Sequence, residues 1–371
     1  MKNQIHLLQL NINFFDYKFA LLCFISAFVV TLVTIPYIIS LVNKYRLYDI
    51  PDARKEHSSP IPTMGGIAVM AGMMMALFLW FPFSSGVEQI CFFFSLAVLF
   101  GLGILDDMKD LSAKYKFIIQ VALASLIALS GIRITSFEGL FGITELPVSA
   151  QYTFTILAIT GITNAFNLID GIDGLAGGLG FMSLVTLGLF LIMNGDSKTA
   201  LIAFALAGGI FAFLYFNFNP AKIFMGDTGS LLLGFVIAVL SVRLMQVNVF
   251  AIKSILLNAP VFVLGIVFIP VFDTIRVFAI RIWNGKSPFD ADKSHIHHLL
   301  TNQGFSHSFA AKLICFIHGF VLIEVYWLRN LRAEFIVLIL LAFMLLTILV
   351  LKNLGALVKR TRALYSPSVT E

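Results

Sequence analysis

The chain has 371 residues, of which 59% are hydrophobic and 12% charged, and its formal net charge is +5. A water-soluble globular domain carries roughly 25% charged residues. This composition therefore excludes a soluble enzyme, and a mean hydropathy of +0.95 calls for a lipid environment. No polar stretch is long enough for a separate water-facing domain, so residues 1–371 read as one polytopic, all-α membrane domain, with no nucleic-acid partner expected.

Each spanning helix needs about 20 apolar residues. Eleven apolar runs follow in order: 19–42, 63–83, 89–105, 117–131, 152–166, 175–193, 199–216, 230–245, 252–282, 309–328 and 335–351. The first run is too long for a signal-peptide core and is read as a spanning helix. The ninth is long and interrupted by Pro260 and Pro270, which predicts a kink and an extension beyond the bilayer. Residues 133–149 alternate apolar and polar around Gly139 and Gly142, the pattern of a small hairpin. Cys23, Cys91 and Cys315 all fall in apolar runs without ligand spacing and read as packing residues.

Orientation follows from lysine and arginine, which favour the cytoplasmic side. Lys44, Arg46, Arg54 and Lys55 follow the first run, and Lys359, Arg360 and Arg362 lie in the tail. The expected topology has the amino terminus outside and the carboxyl terminus in the cytoplasm. The loops after runs 1, 3, 5, 7 and 9 are then cytoplasmic, and acids, amides and histidines accumulate there.

The first of these loops holds Lys55 and His57, which could reach an anionic ligand, although basic residues here also satisfy the orientation rule. It ends in Pro62-Thr63-Met64-Gly65-Gly66, a rigid entry into the second run. The third run ends in Asp106-Asp107. Adjacent carboxylates at a membrane boundary repel one another, and a divalent cation with substrate phosphates would relieve that cost. The alternative is a solvated helix end balanced by Lys109, Lys114 and Lys116.

Residues 164–178 concentrate Asn164, Asn167, Asp170 and Asp173 with four glycines between two apolar runs. A turn needs only two or three such residues, so convergence on a polar ligand is the better reading. The next loop contains Asn217, Lys222, Phe224 and Asp227. Asp227 precedes an apolar helix; it could cap that helix, or ligate a metal while the helix N-terminus receives a phosphate. Lys222 could help hold a diphosphate. The last loop carries His295, His297 and His298. With no cysteine or fourth-ligand pattern beside them, phosphate binding or proton handling fits better than structural zinc. Asp273 and Arg276, three apart on one helix face, read as a structural ion pair.

Taken in order, Pro62–Gly66, Asp106-Asp107, Asn164–Ala176, Met225–Ser230 and His295–His298 resemble the polyprenyl-phosphate N-acetylhexosamine-1-phosphate transferases. The resemblance covers nearly the whole chain. It implies a multi-pass enzyme of the bacterial cytoplasmic membrane with its site at the cytoplasmic face. That enzyme transfers a sugar-1-phosphate from a UDP-N-acetylhexosamine to a polyprenyl phosphate, releases UMP and requires magnesium, with manganese as a substitute. It implies Asp227 as principal metal ligand, joined by Asp107. Asp106, Asp107, Asp173 and the three histidines would be catalytic. Asn164, Asn167 and Asp170 would line the nucleotide and sugar region, with Asn217 and Phe224 near the uracil. A homodimer is consistent with it.

The spacing His-Ile-His-His is similar to the branch that starts envelope polysaccharides with a simple N-acetylhexosamine. Muramoyl-pentapeptide transfer is the second reading. A secondary transporter would place its acids near the bilayer midplane between inverted repeats, and no repeat is evident here. A phosphomonoester has a second pKa of about 6, so the lipid phosphate needs little help losing a proton. Direct attack is the simpler route, and a phospho-aspartate intermediate is the alternative.

Overall fold

In hydrocarbon every backbone N–H and C=O must be satisfied within the chain, which forces long apolar runs into helices. The computed structural model describes residues 14–45, 48–49, 61–218, 220–250, 255–287 and 294–365. Its helices are α1 (Phe14–Tyr45), α2 (Gly65–Trp80), α3 (Val87–Lys109), α4 (Ala113–Ser130), α5 (Val148–Ile169), α6 (Leu175–Met193) and α7 (Ser197–Asn217). They continue as α8 (Gly226–Phe250), α9 (Ala259–Ile266), α10 (Phe268–Trp283), α11 (Ile296–Thr301), α12 (His307–Leu328) and α13 (Ala333–Tyr365).

Ten of the eleven apolar runs coincide with one helix each and the described part of the ninth with the pair α9–α10, yet the number able to span is smaller. Among the described residues nine helices are long and apolar enough, or ten if the broken pair α9–α10 counts as one. The second run, 63–83, forms α2, which has 16 residues. At 1.5 Å per residue it covers about 24 Å, short of a hydrocarbon core of about 30 Å.

The expected kink is a bend of 76° between α9 and α10, placed differently from a proline kink. Pro260 and Pro270 each sit in the first turn of a helix, where a missing N–H costs nothing. The break itself falls at Val267, and the Ser183 hydroxyl donates to the carbonyl of Ile266 beside it.

The all-helical expectation meets one small exception among the described residues. Tyr48–Asp49 (β1) and Ile61–Pro62 (β2) pair antiparallel, and Ser136 bridges Glu145. That bridge belongs to the hairpin read from residues 133–149, which the Phe137 N–H to Thr144 carbonyl bond (2.9 Å) and the Leu146 N–H to Thr135 carbonyl bond (3.0 Å) also hold. Glu138 in this hairpin accepts from the Ala259 N–H at 2.6 Å and so caps α9 from a distant part of the chain. Burial raises its carboxyl above the ordinary range.

Helix α8 is the pillar of the bundle, buried along nearly its whole length and packed against α2, α3, α5 and α6. It carries no polar stripe because it meets protein on all sides. Its far end is fixed by Arg243, which donates to Asp196 at 2.7 Å. Its first turn is where the polar motifs gather.

Candidate active site at the first turn of α8

The first turn of α8 starts with Gly226 at a φ of 70°, a left-handed conformation that glycine adopts without strain. A Cβ there would also lie 2.5 Å from a carboxylate oxygen of Asp107. Gly103 on α3 permits a second close approach, since its Cβ would fall 2.4 Å from the Cα of Thr228. The chain before α8 is aligned by backbone bonds to the turn Pro62–Gly66. The Phe224 N–H donates to the Pro62 carbonyl (2.8 Å), while Gly65 and Gly66 donate to the carbonyls of Phe224 and Met225 (both 2.9 Å). The role of that motif is thus architectural: it lays the strand-like entry to α8 along the start of α2.

Two adjacent aspartates at the end of α3 face different partners. One oxygen of Asp107 accepts from the Asp227 N–H at 2.7 Å; the other accepts from the Thr228 N–H at 3.2 Å and the Thr228 hydroxyl at 2.5 Å. Asp107 therefore caps α8, satisfying N–H groups that a helix start leaves unpaired. The cap that the sequence allowed for Asp227 comes instead from α3. Asp106 accepts from the Leu111 N–H (2.7 Å) and from Lys116 Nζ on α4 (2.6 Å).

Lys116 also reaches Asp227, at 3.1 Å. The other Asp227 oxygen accepts from the amide of Asn167 at 2.5 Å, and the same amide nitrogen donates to Ser230 Oγ at 2.9 Å. The Asp106 side chain is only 1% exposed, whereas that of Asp227 is 31% exposed. Asp227 is thus the carboxylate of this pair that a ligand can reach. Three carboxylates in so small a volume repel one another, and Lys116 with the positive end of α8 offsets part of that cost.

Asp170 ends α5 and adds to the same negative field. Burial and the charges of Asp227, Asp107 and Asp173 push its carboxyl up to about 7. An unfolded aspartate titrates near pH 3.9, so between roughly pH 4 and 7 the folded chain keeps a proton that the unfolded chain has lost. Stability therefore falls as pH rises through that window. Asp170→Asn removes this loss: without divalent cations, thermal scans should show a higher melting temperature at about pH 8 and no gain at about pH 4. An equal gain at both would refute the pH-linked cause.

The remaining expected site residues divide into those brought to this cluster and those used elsewhere. Asp173 accepts from the Ala221 N–H at 3.2 Å and ties the α5–α6 loop to the loop before α8. Asn217 is buried, with its carbonyl accepting from the Gly174 N–H (2.8 Å) and its amide donating to the Ile223 carbonyl (2.9 Å). Both ends of that side chain staple loops together. Asn164 donates to Gln120 on α4 and to the Thr160 carbonyl, linking two helices rather than meeting the aspartates. Lys222 is exposed and Phe224 half-buried in the loop before α8. Lys55 and His57 lie outside the described residues.

The histidine loop reaches the site from another side. His297 is buried, and its ring lies so close to Gly171 that a Cβ there would be 2.7 Å from Cε1 and Nε2. Burial, with the neighbouring His298 and His295, pushes its imidazole down to about 3. His297 is consequently neutral at pH 7 and adds no positive charge for phosphate. Its ring is nearly parallel to that of His295, with centroids 6.0 Å apart. Lys116, which the sequence offered as a counter-charge to the acidic pair, joins the cluster, as do Thr228 and Ser230 of the Met225–Ser230 motif.

This arrangement defines a polytopic membrane protein whose polar site is built at the end of its helix bundle, around a reachable aspartate at a helix N-terminus. The sequence profile of glycosyl transferase family 4 matches residues 89–245, which run from α3 to α8 and include Asp106, Asp107, Asn167 and Asp227. A protein of Bacillus subtilis (strain 168), named "Probable undecaprenyl-phosphate N-acetylglucosaminyl 1-phosphate transferase", is 35% identical over 80% of this chain and 82% of its own. The undecaprenyl-phosphate alpha-N-acetylglucosaminyl 1-phosphate transferase of Salmonella typhi is 33% identical over 78% of each chain. The decaprenyl-phosphate N-acetylglucosaminephosphotransferase of Mycobacterium leprae (strain TN) is 32% identical over 76% of each. The chain belongs to glycosyl transferase family 4.

Proposed function

We propose that this protein transfers N-acetylglucosamine-1-phosphate from UDP-N-acetylglucosamine to a polyprenyl phosphate in the bacterial cytoplasmic membrane, releasing UMP. The observation that carries the reading is the convergence of α2, α3, α4 and α5 on the first turn of α8, where Asp227 is half-exposed beside Asp106 and Lys116. The names of the three relatives supply the sugar and the lipid. The acids stand at helix ends and not in mid-span, which favours an interfacial reaction over a transporter. With lysine and arginine setting the orientation, this end of the bundle faces the cytoplasm, where a charged donor can meet a lipid-held acceptor.

The donor set suits magnesium, or manganese in its place. No group of three or more His, Cys, Asp or Glu side chains among the described residues forms a metal cage. Magnesium is usually held by one or two carboxylates together with substrate phosphates and water. Asp227, with Asp106 next to it, would hold the cation; Asp107 is committed to the start of α8 and is a poorer ligand. When bound, the cation neutralises the donor diphosphate and the departing UMP.

The protein side of the reaction is positioning. An oxygen of the lipid phosphate forms a bond to the phosphorus carrying the sugar. The bond from that phosphorus to the bridging oxygen breaks, and UMP leaves with the electron pair. Lys116, which bridges Asp106 and Asp227, is placed to turn towards these phosphates. Asn167 fixes the rotamer of Asp227. No residue need act as general base, because the lipid phosphate is largely dianionic near pH 7.

Purified protein with undecaprenyl phosphate should release UMP from UDP-N-acetylglucosamine with magnesium, and EDTA should abolish that release. UDP-N-acetylgalactosamine and UDP-MurNAc-pentapeptide complete the panel. Turnover with the pentapeptide donor alone would overturn the proposed branch. Absence of release from every donor, by folded protein, would overturn the reaction.

A further inference from the structure

Asp273 is buried on α10, away from the cluster at α8, and both of its oxygens are engaged by the histidine loop. One accepts from the Ile296 N–H at 3.0 Å and from Arg276 at 2.7 Å. The other meets His295 Nδ1 at 2.9 Å. Arg276 in turn donates to the Ser294 carbonyl. Two side chains of one helix therefore hold three consecutive residues of the loop by a carbonyl, a ring nitrogen and an N–H. A pair chosen only to neutralise itself within the membrane would not need this contact pattern.

The chemistry of the pair is directional. The Asp273 side chain is 1% exposed and that of His295 is 8% exposed, so water does not compete for the bond between them. An ionised carboxylate only accepts, which makes Nδ1 the donor and leaves Nε2 as the nitrogen offered to a ligand. A carboxylate behind an imidazole in this way selects its tautomer and fixes its ring plane. His297, stacked alongside, carries the same loop onto Gly171, between Asp170 and Asp173.

We infer that Asp273 is a positioning residue for the sugar-phosphate transfer: it mounts the histidine loop on α10 and presents the acceptor Nε2 of His295 to a hydroxyl or N–H of the bound sugar nucleotide. This rests on the proposed reaction. Asp273 touches no substrate and acts through His295.

The test is a double-mutant cycle on UMP release, with Asp273→Asn, His295→Gln and the pair together. Asp273→Asn can still accept from Ile296 and Arg276, but its amide would face Nδ1 as a donor and impose the other tautomer. It should lower kcat by about 10–100-fold, as carboxylates behind a functional histidine commonly do, with the donor KM little changed. His295→Gln keeps a polar group near the Nε2 position and needs no tautomer control, so adding Asp273→Asn to it should change kcat by less than about twofold. A full multiplicative loss in that background, or wild-type turnover in Asp273→Asn, would overturn the inference. Should Asp273→Asn not fold, Asp273→Glu retains the charge beside Arg276 while displacing the carboxylate, and the same masking by His295→Gln is expected. If wild-type protein releases UMP from no donor, the reaction fails separately, and ¹⁵N-histidine shifts then decide the positioning: an unchanged His295 tautomer in the Asp273 variant refutes it.

Discussion

Asp227→Asn should lower UMP release by about three orders of magnitude, the scale lost when a main electrostatic contact to a transferring group is removed. The fold should survive the change. The α8 cap is made by Asp107, and the amide of residue 227 can still accept from Asn167. Its other end becomes a donor aimed at Lys116, so the lysine loses one of its two carboxylates. Melting temperature and membrane insertion should therefore stay near wild type. Steady-state UMP release across a magnesium titration is the measurement. Activity that returns to normal at high magnesium would make Asp227 a contributor to cation affinity only, and activity that never falls would remove it from the site.

Asp107→Ala should be as inactive, for a different reason and with a different signature. The substitution leaves the N–H groups of Asp227 and Thr228 and the Thr228 hydroxyl without their acceptor. Unsatisfied donors at a buried helix start cost about 1–3 kcal/mol, which should appear as a fall in melting temperature that Asp227→Asn does not show. Added magnesium should restore neither stability nor turnover. Melting curves and UMP release on both variants separate the cap from the ligand, and an Asp107→Ala protein with wild-type stability would contradict the capping role.

These two aspartates mark how far the sequence could be read. That an acidic pair ends the third apolar run, and that a glycine-flanked aspartate precedes the eighth, was legible from composition and order; that the two meet followed only from the family resemblance. Which acid caps and which pairs with lysine was not legible. Neighbouring residues on a helix point about 100° apart, and only the packing of α3 on α8 decides which direction meets the helix start. Lys116 was legible only as one of three lysines that could balance the acidic pair, because any cytoplasmic loop is expected to carry lysines. The amides divide: Asn167 meets Asp227, while both ends of Asn217 are satisfied by backbone across a separation that no local pattern reveals. Asp273 was legible as an ion pair because Arg276 is three residues away, while His295, 22 residues further on, was not.

The helices themselves were the plainest part, since hydrocarbon permits no other backbone for such runs. Their spanning count was less so. The start of α2 is bonded to the chain before α8, and the break at Val267 lies beside a serine hydroxyl from α6; both are tertiary facts.

The cap supplied by Asp107 also bears on how the protein is made. Chains emerge from the ribosome amino terminus first, so α3 delivers Asp106 and Asp107 long before residue 227 exists. Until α8 arrives, Asp107 has none of the N–H partners it finds in the finished fold. A nascent chain truncated before Gly226 thus carries the acidic pair but lacks the helix end that orders it, and the histidine loop and its mount on α10 come later still. The cluster is absent from every shorter intermediate and closes only when most of the membrane domain has been inserted.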